Sequence, residues 1–368
     1  MAEPGASAGS GLGIYVHVPF CASRCDYCAF ATWTGISHLA ATYVDACLSE
    51  LRSAYEAGIG KATTVFFGGG TPSQLPAEEL ARLLKAISRE NAAEVTVECN
   101  PEDVTASLLS AYCSAGVTRI SLGVQSLAPH VLAGLGRRHG PEAVPRAVAA
   151  VGEAGFSTFS VDLIYGARPE SDRDWAATVQ GVLALEPQPP HVSAYALQAE
   201  PGTPLWRDLE RHPDDDVQAR RYEIADDLLE AAGLSWYEIS NWSRPGHECR
   251  HNQNYWRQGE YLGIGCAAHS HLAGRRFWNI RTPERYIAAI SSKSSPVAGE
   301  ERLDTEASLI EALELAIRTR DGVEAGALPD DEALAGLIER RHGRAVLTRR
   351  GRLLANEVAC RLARPVRT

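Results

Sequence analysis

The stretch that most restricts the fold is IYVHVPFCASRCDYCAFATW, residues 14–33. A β-branched and aromatic run, residues 14–18, leads straight into Cys21, Cys25 and Cys28, spaced C-x3-C-x2-C. The spacers are short enough for the loop to fold back on itself, so three thiolates can converge on one inorganic centre. Thiolate sulfur suits zinc and iron–sulfur clusters. A structural zinc site takes a fourth protein ligand nearby, and none stands here: the residue two beyond Cys28 is Phe30. Three thiolates on a four-iron cluster leave one iron open to a small molecule. Three free thiols buried in an apolar loop are the plain alternative, but that alternative does not predict the spacing. A disulfide framework belongs to exported chains, and this sequence carries no signal-peptide pattern and no long apolar span, so a cytoplasmic protein is expected.

Behind this loop, the first two-thirds of the 368 residues alternates short β-branched runs with longer helical patterns. Strands are expected at 14–18, 63–67, 94–99, 119–124, 158–163 and 191–196, with helices at 39–57, 77–89, 105–115, 142–154 and 174–185. Such alternation predicts a parallel sheet with crossover helices. Six units give an α/β fold, a partial (β/α)6 TIM-like barrel open on one side. The expected organisation is a disordered tail at 1–12, the barrel at 13–204 and a barrel-closing extension at 205–296. A small, mostly helical, winged-helix-like domain is expected at 297–368.

Functional groups in such barrels gather at the C-terminal strand ends, and the motifs fall there. GGGTP, Gly68 to Pro72, follows the second strand; glycines there permit positive φ and close backbone approach to a ligand, and the freed amides can hold an anion. A glycine triplet alone is read more plainly as a tight turn. VECNP places Glu98 at the third strand end, and SLGVQSL places Gln125 after the fourth. LGRRHG offers Arg137 and Arg138. A satisfied surface glutamate and a solvated arginine pair are the plain readings of these. VDLIYGARP sets Asp162 within an apolar strand, which is costly unless the carboxylate is paired or binds a ligand. HVSAYALQAEPGTPL brings Ala196 to the last core strand, and its Pro/Gly-rich tail marks the end of the repeat.

From about residue 205 the alternation stops. A helical pattern with an acidic start precedes a strand-like stretch at 236–239 and then SNWSRPGHECRHNQNYW. Within it His251, Asn252, Asn254, Tyr255 and Trp256 form HNxxYW. An imidazole beside a Tyr/Trp pair suits an iron porphyrin; a structural cluster covering the open barrel is the alternative. The single methionine is Met1, which removes a His/Met iron pair. GIGCAAHSHL, Gly263 to Leu272, adds a flexible turn with Cys266, His269 and His271. Cys249 and Cys266 read as buried inert thiols, or as minor heme or redox contacts. The basic run 340–352 fits a solvated helix face or a docking surface. A formal net charge of −10 argues against a general nucleic-acid binder.

YVHVPFCASRCDYCAF resembles the cluster loop of the radical S-adenosylmethionine superfamily. It is most similar to the porphyrin-related branch, which includes oxygen-independent coproporphyrinogen III dehydrogenase and the HemW-type heme chaperones. The resemblance implies a [4Fe-4S] cluster on Cys21, Cys25 and Cys28, with S-adenosylmethionine chelating the open iron. An electron from the reduced cluster would then break the sulfonium bond and give a 5′-deoxyadenosyl radical. It implies S-adenosylmethionine contacts at Tyr15, Tyr27, Gly69, Gly70, Thr71, Glu98, Gln125, Arg137, Asp162, Ala196 and His269. HNxxYW resembles the hallmark of HemW-type proteins, which implies heme at His251. A chaperone is favoured over the dehydrogenase, whose loop carries another cysteine where Phe30 stands and whose N-terminal arm is longer. A radical enzyme on an unrelated substrate is the third reading. Implied partners are heme-accepting apoproteins, respiratory and membrane-associated ones among them, and a reductant for the cluster. No nucleic acid is implied, and a homodimer stays open.

Overall fold

Strand β1 (Leu12–Val18) buries Ile14, Val16 and Val18 completely in the layer between sheet and helices. The period of two along a strand turns Tyr15 and His17 to the opposite face, where they line a cavity inside the barrel. The computed structural model describes residues 11–362 and repeats this division strand by strand. After α1 (Ala40–Glu56) comes β2 (Ala62–Gly69), then α2 (Ala77–Ala86) and β3 (Arg89–Cys99). α3 (Ala106–Ala115) leads to β4 (Arg119–Gln125); α4 (Pro129–Gly134) and α5 (Ala143–Glu153) lead to β5 (Phe159–Tyr165); α6 (Asp172–Leu183) leads to β6 (His191–Ala196). From β2 to β6 each strand pairs in parallel with the one before it. Local chemistry sets the helix ends. The Thr105 side chain caps α3, which stops at Gly116 (φ +94°), and Ser171 with Asp174 forms a capping box on α6.

Beyond β6 the chain extends the same sheet from both edges. α7 (Pro204–Arg207) and α8 (Asp215–Ala231) precede β7 (Ser235–Glu238) and β8 (Asn241–Ser243), a hairpin whose β8 lies antiparallel to β6. α9 (Arg250–Trp256) then carries the chain back to β1, where β9 (Tyr261–Ile264) pairs in parallel with its free edge. β10 (His269–Leu272) and β11 (Arg275–Asn279) follow antiparallel; α10 (Pro283–Ser291) intervenes before β12 (Val297–Arg302) pairs with β11. The strand order is β12-β11-β10-β9-β1-β2-β3-β4-β5-β6-β8-β7.

The α/β barrel is as the sequence reads, with differences at particular places. Of the tail expected at 1–12, the first ten residues lie outside the described residues, and Leu12 already pairs in β1. The helix expected over 77–89 stops at Ala86, where Arg89 Nη1 donates to the Leu84 carbonyl at 2.7 Å, and Arg89 itself opens β3. The extension expected at 205–296 contributes five strands to the main sheet, and a sixth, β12, follows past 296. The last segment is less helical than expected. α11 (Thr305–Ala316) is followed by β13 (Val323–Glu324), β14 (Ile338–Arg341) and β15 (Arg344–Leu347), a sheet of order β13-β15-β14, and then α12 (Arg349–Leu353) and α13 (Ala355–Ala359). Gly336 (φ +72°) interrupts the helical pattern before β14, and His342 and Gly343 (φ +50° and +75°) make the hairpin turn.

Three arginines of the 340–352 run bond to other parts of the molecule. Arg340 donates to the Pro329 carbonyl at 2.8 Å, and Arg349 and Arg352 grip Asp226 on α8 at 2.6 and 2.7 Å. Trp242 Nε1 is a third side chain donating to Asp226, at 2.7 Å. Burial raises the Asp226 pKa, but the bonds and charge of Arg352, then Trp242 and Arg349, overturn that and hold it below its ordinary value.

Candidate functional site

Val18 delivers the chain into the cysteine loop, whose mouth is closed by backbone bonds from Cys21 N to Trp33 O (3.0 Å) and from Trp33 N to Pro19 O (2.9 Å). The GGGTP turn at the end of β2 is spliced to the same loop. Gly70 N donates to Val18 O and Thr71 N to Phe20 O, both at 2.8 Å. A Cβ on Gly70 would stand 2.7 Å from Val18 O, and one on Gly69 (φ +108°) 2.4 Å from the His17 ring. Both positions therefore demand glycine.

The three thiols are partly buried and unbridged. Thr71 Oγ1 donates to Cys21 Sγ at 3.5 Å, and Arg137 Nη1 to Cys25 Sγ at 3.4 Å. Arg137 Nη2 reaches Asn100 Oδ1 (2.7 Å) and Gly123 O (3.1 Å), while its buried Nε has no partner among the described residues. Burial raises the Cys21 and Cys28 thiols, and the neighbouring sulfurs add to the rise. As ligands to iron these cysteines would be held as thiolates, without that penalty. Among the described residues no three His, Cys, Asp or Glu side chains close around a single ion. A four-iron cluster makes no such demand, because each thiolate binds its own iron. The donor set, three soft sulfurs with hydrogen bonds arriving from Thr71 and Arg137, fits that cluster.

Beside the loop, the strand ends carry carboxylates. Gly69 N donates to Glu98 Oε2 at 3.3 Å, and burial, with the Asp162 charge second, pushes the Glu98 carboxyl up to about 8. Asp162 survives in its apolar strand because Ser121 Oγ (2.5 Å) and Ser193 Oγ (2.7 Å) donate to it; burial still raises its pKa. Gln125 closes β4 at φ +67°, and Ala196 closes β6 opposite Tyr165. Tyr27 packs in a small apolar cluster with Val131, Leu135 and Leu205. These groups form an acidic mouth suited to a ligand carrying an ammonium and hydroxyls. Sequence reasoning missed Asn100, Ser121, Ser193 and His17. The signal for His17 was present, since it stands two residues after Tyr15 on the same face of β1.

His17 Nε2 lies 2.8 Å from the Ala31 carbonyl, which can only accept, so the proton is on Nε2 and Nδ1 accepts from Tyr15 Oη at 3.1 Å. Burial lowers the His17 pKa to about 4, which keeps it neutral at pH 7. A column of rings continues from Tyr15 to Phe66 (6.4 Å, stacked), then to His251 (5.3 Å, stacked) and Tyr255 (4.9 Å, edge-on). It runs from the cysteine loop to the N-terminal ends of the strands.

His251, the heme contact that the resemblance implies, stands in the first turn of α9. It is 1% exposed, with Nδ1 2.8 Å from Thr64 Oγ1 and Nε2 2.8 Å from Tyr255 Oη, and its backbone N–H donates to Glu94 Oε1 at 3.1 Å. The Thr64 bond fastens α9 to β2. Burial lowers its pKa to about 3. Asn252, Tyr255 and Trp256 of the same motif do line a cavity of about 860 Å³ that reaches the last domain. A second cavity of about 890 Å³ also touches Tyr255, and into it face Tyr15, His17, Phe30, His269 and His271. Cys249 and Cys266 are buried, engaged with Glu94 and Tyr43 respectively, each at 3.6 Å.

The sequence model of the Radical SAM superfamily matches residues 15–181. The heme chaperone HemW of Mycobacterium tuberculosis (strain ATCC 25618 / H37Rv) is 43% identical over 373 residues, covering 95% of this chain and 94% of that protein. The heme chaperone HemW of Bacillus subtilis (strain 168) is 32% identical, covering 94% and 97%. Among solved structures, the radical SAM enzyme coproporphyrinogen III oxidase (HemN) from Escherichia coli superposes with a TM-score of 0.84 at 21% identity. That alignment covers 95% of this chain and 89% of HemN, a likeness in fold. The chain belongs to the radical S-adenosylmethionine superfamily and, within it, to the HemW family.

Proposed function

We propose that this protein is a heme chaperone that carries a [4Fe-4S] cluster and S-adenosylmethionine and hands heme to acceptor apoproteins. Cys21, Cys25 and Cys28 would hold the cluster. The observation that carries the reading is the meeting, in one cavity of about 890 Å³, of cluster-side groups (Tyr15, His17, Phe30) with the histidines and aromatics of β9–β11. Pockets of roughly 300–1,000 Å³ bury cofactor-sized ligands.

When bound, the cluster supplies an electron to the sulfonium of S-adenosylmethionine. The residues of this chain bind and orient. Gly69, Gly70, Thr71 and Glu98 take the amino group, Arg137 the methionine carboxylate, and Gln125 and Asp162 the ribose. Ala196 and His269 border the adenine, and Tyr15 and Tyr27 close the pocket against water. The acceptors include respiratory, membrane-associated apoproteins, and a reductant serves the cluster. The proposed compartment is the cytoplasm; among the described residues no helix is long and apolar enough to cross a membrane.

The test is a heme titration of anaerobically cluster-loaded protein, followed by transfer to an apo-acceptor. Saturable binding and transfer are expected. Absence of both, or turnover of coproporphyrinogen to vinyl products with S-adenosylmethionine and reductant, would overturn the chaperone reading.

A further inference from the structure

We propose that Glu50, which stands on α1 and outside the cavity of about 890 Å³, is a positioning residue for the nucleoside half of S-adenosylmethionine; this rests on the S-adenosylmethionine reading above. Its carboxylate grips the turn between β9 and β10. Oε2 accepts from Gly265 N at 2.9 Å and from Tyr286 Oη, on α10, at 2.6 Å. Oε1 accepts at 2.6 Å from Nδ2 of Asn279, the last residue of β11. The same Nδ2 donates to Gly265 O at 2.9 Å. Gly265 is thus held at both ends, its N–H by Glu50 and its carbonyl by Asn279. Tyr43 lies two turns before Glu50 on the same face of α1. Its Oη accepts from Cys266 N at 3.0 Å and donates to His17 O at 2.7 Å, which ties the turn to β1.

The turn needs that grip. Gly265 (φ +98°) and Ala267 (φ +55°) both lie in the left-handed region, which an alanine disfavours, so the shape is imposed by the surroundings. The fit is close: a Cβ on Gly265 would stand 2.3 Å from Tyr43 Oη and 2.9 Å from His17 O. What the turn delivers is Ala267, His269 and Asn279 to the cavity wall, on the same cavity as Tyr15 and His17. The groups that take the amino-acid half, Gly69, Gly70, Thr71 and Arg137, stand at the end of β2 and after α4. None of them bonds to Glu50. Loss of the carboxylate therefore loosens the nucleoside side of the pocket and spares the other. Burial pushes the Glu50 carboxyl up to about 7, against the bonds from Tyr286, Gly265 and Asn279, so the ionised form with its full set of acceptors prevails above that pH.

The experiment compares wild type with Glu50→Gln, which keeps the side chain's size but turns an N–H2 toward its donors. Both proteins are cluster-loaded anaerobically and assayed above neutral pH by equilibrium dialysis of radiolabelled S-adenosylmethionine, displaced by methionine or by 5′-methylthioadenosine. Iron, sulfide and circular dichroism verify cluster and fold. Glu50→Gln is expected to bind S-adenosylmethionine and 5′-methylthioadenosine about 10-fold more weakly, the effect of one lost bond to a carboxylate, and to bind methionine as wild type does. Unchanged affinity for S-adenosylmethionine overturns the proposal. So does an equal weakening of methionine, which marks a general loosening of the site. Should Glu50→Gln not fold, Tyr286→Phe replaces it, removing the phenol bonded to the carboxylate, and the same split between the two competitors decides. If wild type with its full iron content binds no S-adenosylmethionine, the reading beneath the proposal falls with it; if wild type binds and the variant binds equally, only the role of Glu50 falls.

Discussion

Gly70→Ala probes the splice between the cysteine loop and the glycine turn. A Cβ at this position meets Val18 O at 2.7 Å, Phe20 O at 2.8 Å and the Pro19 carbonyl carbon at 3.0 Å. All three are backbone atoms, and the two oxygens are the acceptors for Gly70 N and Thr71 N. No side-chain rotation relieves the contact, so the loop must move off the turn. Overpacking against fixed backbone costs roughly 1–3 kcal/mol, and loss of one of the two bonds adds about 0.5–1.5 kcal/mol. A total of about 2–4 kcal/mol is a large part of the roughly 5–15 kcal/mol that holds a domain folded. The displacement reaches Cys21 directly, and with it the Thr71 hydroxyl 3.5 Å from its sulfur. Urea unfolding is expected to show a lowered midpoint at unchanged slope, and anaerobic reconstitution a lowered iron and sulfide content. Gly69→Ala should weaken the same site for another reason. Positive φ there costs an alanine about 1–2 kcal/mol, and the new methyl strikes the His17 ring. A Gly70→Ala protein with the wild-type midpoint and full iron would refute the argument.

Cys21→Ala, Cys25→Ala and Cys28→Ala should each abolish the iron–sulfur absorbance; wild-type iron and sulfide in any of them would remove the cluster from this loop. Glu98 ionises in the folded protein near pH 8, above its unfolded value, so its protonated form favours folding at low pH. That contribution is lost as pH rises through about 8. Glu98→Gln should therefore lose less thermal stability than wild type between pH 5 and 9, and parallel curves would contradict the assignment. Asp226→Ala leaves buried Arg352 without its carboxylate, at a cost of about 3–5 kcal/mol. It should loosen residues 303–362 and expose them to limited proteolysis, with cleavage patterns like wild type as the contrary result.

The parallel barrel was legible because its strands are long enough to carry a pattern, and α3 and α6 carry ordinary caps. Asp162 was legible as an anomaly, although the serines that satisfy it come from β4 and β6 and leave no mark on the local sequence. β9–β12 were not legible. They are four to six residues long, and the inner face lines a cavity rather than a core, so polar and aromatic residues stand where a hydrophobic alternation would announce a strand. HNxxYW was visible as a motif, but the partners of its histidine were not, for a non-local reason. Thr64, 187 residues upstream, fills one nitrogen of His251, and only the fold brings it there.

β1 lies between β2 and β9, so the strand that feeds the thiol loop gains its second neighbour only when residues 261–264 have been synthesised. A nascent chain that has left the ribosome only as far as β6 carries β1 as a bare rim, open to pairing with another polypeptide. The strand that carries the sulfurs into place is thereby the last of the six barrel strands to be flanked on both sides.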